Sequence, residues 1–266
     1  MARPIVAFLS DFGTRDHYAG TLKAVVLGVC PDVTLVDIGH DIPAHDVMAG
    51  ALELGACYRY FPHGTVFLAV VDPGVGSSRR GIAADTGDYR FVAPDNGLLS
   101  AVFRDTPPRK VVELTERKYA RPTVSRTFEG RDRFAPAAGW LAKGLTLTGL
   151  GKGVTDFQIL ELPQPLADTT QIKGEVVRID RFGNLITNID RRAFEQLASR
   201  GPIAVRAGSC DVGRVVATYA EAPAGELCAL FGSTDHLEIA VNAGDAAAHL
   251  ALSRGAIVTV RLASLI

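Results

Sequence analysis

The sequence predicts an α/β fold: an N-terminal, mostly parallel sheet flanked by helices, followed by a smaller C-terminal antiparallel β-barrel-like domain. Three observations predict it. Continuous apolar runs alternate with helical periodicity in the first part of the chain, the pattern of a parallel sheet covered on both faces. The proline pair in Pro163-Gln164-Pro165 then marks a change of texture, as an inter-domain linker does. Beyond it, short β-rich runs follow one another between turn residues, the signature of a small barrel or sandwich. The expected domains are therefore 1–165 and 166–266.

The elements follow in order. Ile5–Leu9 is a short apolar strand that ends at Ser10-Asp11-Phe12-Gly13. Leu22, Val25, Val26 and Val29 recur at helical spacing, and Pro31-Asp32 stops the helix. Val33–Ile38 is a second strand, Asp46–Tyr60 a second helix and Thr65–Val71 a third strand. Ile82–Asp85 and Tyr89–Ala93 flank Thr86-Gly87-Asp88 as a hairpin, and Leu98–Phe103 and Arg133–Lys143 read as further helices. In the second domain the expected strands are Gly174–Ile179, Ile203–Ala207, Arg214–Thr218, Leu237–Val241 and Ile257–Leu262.

Composition removes several function classes. A formal net charge of -1 over 266 residues gives no electrostatic case for nucleic acid or an anionic membrane. No apolar run approaches the ~18 residues needed to span a bilayer. Met1-Ala2-Arg3-Pro4 leads straight into the first strand without the order of a signal peptide. Cys30, Cys57, Cys210 and Cys228 are dispersed, as reduced buried thiols are. The expectation is a cytoplasmic protein. The chain also lacks a Gly-x-Gly-x-x-Gly after its first strand, a Walker loop, a Gly-x-Ser-x-Gly and a His-Glu-x-x-His, which disfavours the common dinucleotide, NTPase and hydrolase folds.

Candidate chemistry gathers at strand ends. Val70-Val71-Asp72-Pro73-Gly74-Val75-Gly76-Ser77-Ser78-Arg79-Arg80 carries a buried strand to one carboxylate, then turns and returns two cations. Asp11, Asp37 and Asp72 all sit at or past strand ends, where open parallel sheets bind ligands; helix capping is the competing reading. The glycine of Ser10-Asp11-Phe12-Gly13 admits a ligand to the backbone. Pro94-Asp95-Asn96-Gly97 leads into a helix whose amides can meet a ligand. Glu129 and Asp132 are acids within an apolar context and are candidates to face inward. His40, Asp41, His45 and Asp46 have metal-ligand chemistry but no specific metal spacing, so a structural role is favoured. In the second domain Asp180 through Asn188 offers a carboxylate, a carboxamide and an aromatic beside a glycine; that set suits an ammonium and a flat heterocycle, an ordinary β-turn being the alternative.

Taken together, Ser10-Asp11-Phe12-Gly13, Val71-Asp72-Pro73-Gly74-Val75-Gly76, Pro94-Asp95-Asn96-Gly97, Gly130-Arg131-Asp132, Asp180–Asn188 and Leu237–Asn242 resemble the S-adenosyl-L-methionine (SAM) hydroxide adenosyltransferases, relatives of the fluorinating and chlorinating adenosyltransferases. The resemblance runs nearly the whole chain. It implies hydrolysis of SAM to adenosine and L-methionine without metal or cofactor. It also implies a homotrimer in which SAM lies between the N-domain of one subunit and the C-domain of its neighbour. By the same resemblance Asp11 holds the ribose hydroxyls, and Asp72 and Arg79 position the attacking water. Asp180 and Ser233 hold the methionine part, while Phe182, Asn184, Tyr219 and the backbone near Asn242 and Ala243 grip adenine. Phe12 and Asn96 fall in the matching binding segments. The hydrolase pattern has histidine where this chain has Glu129, which leaves an Asp-Arg-Glu set as the expected catalytic group. The halogenating relatives carry tyrosine at the Asp72 position, so Asp72 with Arg79 favours water over halide. The competing readings are a halide-dependent, chlorinase-like adenosyltransferase, a catalytically idle SAM- or adenosine-binding protein, and a metal-dependent hydrolase built on His40, Asp41 and His45.

Overall fold

The computed structural model describes residues 3–263. The chain divides into two compact units, Met1–Leu162 and Pro163–Ile266.

In the first unit the elements run β1 (Ile5–Ser10), α1 (Tyr18–Val29), β2 (Thr34–Gly39), α2 (Val47–Cys57), β3 (Val66–Val70), β4 (Gly81–Asp85), β5 (Arg90–Pro94), α3 (Ser100–Asp105), β6 (Lys110–Glu113) and α4 (Ala135–Ala142). The strands form one sheet in the order β2-β1-β3-β5-β4-β6. β2, β1, β3 and β5 are parallel, and β4 runs antiparallel between β5 and β6.

Strand side chains alternate between faces. Val6, Phe8, Leu68 and Val70 therefore pack on one side against Leu22 and Val26 of α1 and Leu141 of α4. Ala7, Leu9, Phe67, Ala69 and Val71 pack on the other against Leu54 of α2 and Val102 of α3. Burial on both faces is why these strands read as unbroken apolar runs. α2 lies close to α3 because Gly55 has no side chain; a Cβ there would stand 2.7 Å from the Ala101 Cβ.

The connections locate the site. From β1 the chain passes through α1 to β2 on one side, then through α2 to β3 on the other side of β1. The strand order thus reverses between β1 and β3, and their carboxyl ends border a crevice. The helix expected at Arg133–Lys143 begins earlier, as a π-helical turn over Gly130–Phe134 that runs into α4. Strand β6 is additional to the sequence expectation.

In the second unit the elements run β7 (Leu166–Ala167), β8 (Gln171–Ile179), β9 (Leu185–Asp190), α5 (Arg191–Ala198), β10 (Ile203–Ala207), β11 (Cys210–Val212), β12 (Leu227–Phe231), β13 (His236–Val241), α6 (Ala246–Leu250) and β14 (Ile257–Leu262). The sheet order is β11-β10-β14-β8-β9-β13-β12, with β7 paired to β8. All these pairs are antiparallel, and the sheet is nearly closed and barrel-like. Ile172, Val176, Leu185, Ile189, Ile239, Val258 and Val260 fill its interior. The strand expected at Arg214–Thr218 is absent. Only Val215 makes an isolated bridge, to Ala229, before the chain enters a 3₁₀ turn at Tyr219–Glu221. β9, β11, β12, α5 and α6 were not anticipated. Asp190 caps α5 by accepting from the Ala193 amide at 2.7 Å, a start signal just beyond the Asp180–Asn188 stretch. No helix among the described residues is long and apolar enough to cross a membrane.

Candidate active site

At the carboxyl ends of β1 and β3 lies a cavity of 310 Å³, lined by Asp11, Phe12, Tyr18, His45, Asp72, Phe128, Glu129 and neighbouring backbone. Two of the three strand-end acids meet there, Asp11 and Asp72. The third, Asp37, belongs to the edge strand β2 and pairs with Lys23 at 2.6 Å and His40 at 3.0 Å. These partners and burial act in opposite senses, and the net effect holds its carboxyl below the usual range.

Asp11 Oδ2 accepts a hydrogen bond from the His45 amide at 2.9 Å. His45 adopts a left-handed backbone, φ 67°, which is costly outside glycine and concentrates at functional sites. Asp46 caps α2 by accepting from the Ala49 amide at 2.9 Å, and His40 Nδ1 bonds Ser10 Oγ at 2.7 Å. His40 and Asp46, two of the residues whose chemistry suggested a metal, thus have local structural partners.

The loop after β3 folds tightly on itself. Val75 N donates to Asp72 O at 3.2 Å, and Ser77 Oγ donates to Gly74 O at 2.7 Å and accepts from Arg79 N at 3.1 Å. This returns Arg79 to the strand end, where Nη2 donates to Asp72 Oδ2 and to Glu129 Oε2, each at 2.6 Å. Gly76, at φ +78°, lets the loop dock against the segment that carries Glu129; a Cβ there would collide with the Arg126 carbonyl oxygen. The guanidinium of Arg79 also lies 5.3 Å from the Phe134 ring centroid. Arg80 turns away to Asp95 and Asp156.

Asp72, Arg79 and Glu129 are nearly dry, with side chains 6%, 8% and 12% exposed. Burial raises the Asp72 carboxyl above the ordinary range; Arg79 pulls it down and Glu129 pushes it up. Asp72 Oδ1 is buried and, among the described residues, has no hydrogen-bond partner. Glu129 has no oxygen in that condition, because Oε1 accepts from Arg133 Nη1 at 2.9 Å. Glu129 sits just before the π-helical turn, and such turns recur where a helix re-aims side chains at a site.

Several expected residues have other duties. Asn96 does not line the cavity: its Nδ2 donates to Val71 O at 2.9 Å, so it pins the strand end next to Asp72. Asp132 is fully buried but holds Arg131 at 2.7 Å and the Ser125 amide at 2.8 Å. Sequence reasoning missed Tyr18. Its ring lies 5.7 Å from Phe12 and 5.1 Å from Phe128 and completes an aromatic wall. Its signal was an aromatic at the first position of the helix that follows the Asp11 loop.

In the second unit, Asp180 ties its own turn. Oδ1 accepts from the Phe182 and Asn184 amides and Oδ2 from Asn184 Nδ2, all at 2.9 Å. Phe182 is 74% exposed. The Gly183 carbonyl accepts from Ala247 N at 3.0 Å, bringing this turn beside the left-handed Ala243. Tyr219 donates to Glu238 Oε2 at 2.8 Å, and Asn242 Nδ2 donates to Ala222 O at 2.7 Å, at the end of the Tyr219 turn. Burial raises the Tyr219 hydroxyl, with Glu238 adding to it, and burial raises the Glu238 carboxyl as well. Ser233 lies in the β12–β13 turn, beside the buried Thr234 Oγ1. Glu238 was missed; its signal was an acid within an apolar strand, on the face opposite Leu237 and Ile239.

Comparison with known proteins bears on what these two sets of residues belong to. Residues 6–151 match the family described as SAM hydroxide adenosyltransferase N-terminal domain, and residues 174–259 match the corresponding C-terminal domain. The chain is 41% identical over 265 residues to the (R)-S-adenosyl-L-methionine hydrolase of Thermus thermophilus, covering 95% of this chain and 97% of that protein. It is 31% identical to a fluorinase of an Actinoplanes species, over 73% of this chain and 74% of the fluorinase. A crystal structure of a conserved protein from Thermotoga maritima superposes with a TM-score of 0.92 at 35% identity, covering 96% of this chain and 99% of that one. With both halves matched in order and the Thermus thermophilus hydrolase spanned almost end to end, the chain belongs to the SAM hydroxide adenosyltransferase family.

Proposed function

We propose that this protein hydrolyses SAM to adenosine and L-methionine by in-line attack of water at C5′. The observation that carries this reading is Asp72: a nearly dry carboxylate lining the cavity, with one oxygen fixed by Arg79 and the other, Oδ1, without a hydrogen-bond partner among the described residues. Water donating to Oδ1 is held and polarised. As its oxygen bonds to C5′, its proton passes to Asp72, and the C5′–S electron pair returns to sulfur. The sulfonium becomes a neutral thioether, so the leaving group needs no acid and the reaction no metal or cofactor. Positioning a nucleophile in this way lowers barriers by roughly 7–11 kcal/mol in favourable systems. A raised Asp72 carboxyl is the better proton acceptor.

We assign Asp11 to the ribose hydroxyls, and Phe12, Tyr18 and Phe128, which line the same cavity, to excluding bulk water. Asn96 contributes through the strand end it pins. We assign Asp180 and Ser233 to the methionine part, and Phe182, Asn184, Tyr219, Asn242 and Ala243 to adenine. We further propose a cytoplasmic homotrimer in which these second-unit residues of one subunit serve the cavity of the next. The exposed Phe182 ring supports such a partner surface. A halide nucleophile is disfavoured at this cavity, because an anion beside Asp72 meets like charge, whereas water donates to it.

The test is incubation with SAM and chromatography of the nucleoside product. Adenosine and L-methionine are expected in equal amounts, independent of chloride. A chloride-dependent 5′-chloro-5′-deoxyadenosine would identify the halide reading. SAM bound for hours without product would identify an idle binding protein.

A further inference from the structure

Glu129 is where this chain departs from the hydrolase pattern it resembles, and its surroundings define its duty. Both carboxylate oxygens are taken, Oε2 by Arg79 at 2.6 Å and Oε1 by Arg133 at 2.9 Å. Arg133 stands four residues on, inside the π-helical turn, and its Nη2 also donates to the Leu114 carbonyl at 2.7 Å. Glu129 lines the 310 Å³ cavity with Asp72. It also lines a second cavity of 560 Å³, and Arg133 lines only this second one. The two guanidiniums therefore grip one carboxylate, one through each oxygen.

We infer that Arg133 is a positioning residue: with Glu129 it forms a charge-neutral strut that holds Arg79 against Asp72 and leaves Asp72 as the only base. This rests on the reading of Asp72 as the water-holding group. One guanidinium on each oxygen keeps Glu129 fixed and charge-paired, whereas Asp72 retains an oxygen, Oδ1, with no hydrogen-bond partner among the described residues, so base duty falls to Asp72.

The charges facing the pair make the arrangement necessary. Asp11 comes from the end of β1, Arg79 from the loop after β3, and Glu129 and Arg133 from the π-helical turn. His45, from the segment before α2, and Tyr18, from α1, line the same cavity. Glu113, Glu116, Arg117 and Arg121 line the second cavity with mixed sign. Without Arg133, the carboxylates of Asp11, Asp72 and Glu129 would face Arg79 alone across the first cavity. Two of those acids would then compete for one cation, and one of them would take up a proton more readily.

The test is an NMR titration of protein carrying ¹³C-carboxyl aspartate and glutamate, assigned with Asp72→Asn and Glu129→Gln. Arg133→Met is expected to raise the midpoint of the first proton bound by the Asp72–Glu129 pair by about one pH unit, the scale typical of losing a close counter-charge. Arg133→Lys should return at least half of that shift. Glu129→Gln should lower the Asp72 midpoint, and adding Arg133→Met to it should move that midpoint much less than Arg133→Met does alone. If Arg133 only ties the π-helical turn to Leu114, Arg133→Met loses stability with no change in the titration, and the inference fails. Should Arg133→Met not fold, Arg133→Gln is titrated in its place, and a midpoint unchanged from wild type would overturn the inference equally. The titration needs no substrate, so its outcome stands apart from whether the wild-type protein releases adenosine from SAM.

Discussion

Asp72→Asn is expected to lower kcat for SAM hydrolysis by about 10²–10⁴-fold, the range for loss of a positioned general base, while the Kd for SAM stays within a few-fold. Asparagine keeps the shape and can still accept a hydrogen bond from water, but it cannot take the proton as the C5′–O bond forms. Arg79 retains Glu129 as a partner in the variant, since its Nη2 already serves both acids. Single-turnover kinetics with a separate binding titration separates the two quantities. A weakened Kd with kcat preserved would make Asp72 a binding residue instead. The same variant carries a stability expectation. The folded-state carboxyl of Asp72 lies above its unfolded value. Its ionisation therefore opposes folding at neutral pH, and the cost disappears as pH falls below the unfolded value. Asp72→Asn is accordingly expected to hold or raise Tm at pH 7, with the advantage lost in acid. A base kept at a cost in stability is a common trade at active sites.

Arg79→Met is expected to be the most damaging substitution for the fold near the site, costing about 3–5 kcal/mol at pH 7. It leaves Asp72 and Glu129 buried, with side chains 6% and 12% exposed, and removes the cation they share. Glu129 keeps Arg133, so the uncompensated charge falls mainly on Asp72. The sign of the pH dependence follows. The Asp72 carboxyl, already raised by burial, would then lie further above its unfolded value, so the deficit against wild type grows as pH rises through that window and shrinks on acidification. Urea unfolding of both proteins at pH 4.5 and pH 7 measures it. A deficit that is the same at both values would mean that Arg79 contributes packing, including its contact with the Phe134 ring, rather than charge. Activity is expected to fall at both pH values, because Arg79 no longer holds Asp72 in place for the water.

Much of the site was legible in the sequence because apolar strands stop abruptly at its acids. Asp11 and Asp72 follow five- and six-residue apolar runs, and the parallel order that makes such ends converge follows from the alternation of strands with helices. The Pro73-Gly74 turn made the return of a cation readable from the sequence, and the family resemblance singled out Arg79 from Arg80. Asp37 shows the limit. It also sits late in a strand, but only the order β2-β1-β3 reveals that its strand lies at the edge, away from the crevice. Arg133 could not be read, because its approach to Glu129 depends on a π-helical turn and on the Leu114 carbonyl, neither of which leaves a periodic trace. Asn96 was legible as part of a turn but not as the pin of the Asp72 strand end, which is a contact between distant segments. In the second unit, β9 and α5 were hidden because Asp180–Asp190 holds a turn, a strand and a helix cap in immediate succession. The wider barrel-like character was still evident from the strands flanking it.

The central claim is that Asp72 delivers a water molecule directly to C5′ of SAM. The measurement that tests it most directly is turnover in H₂¹⁸O followed by mass spectrometry of the released nucleoside. Direct displacement predicts one ¹⁸O atom in the adenosine 5′-hydroxyl and none in methionine. Adenosine free of label, or label appearing in methionine instead, would contradict it.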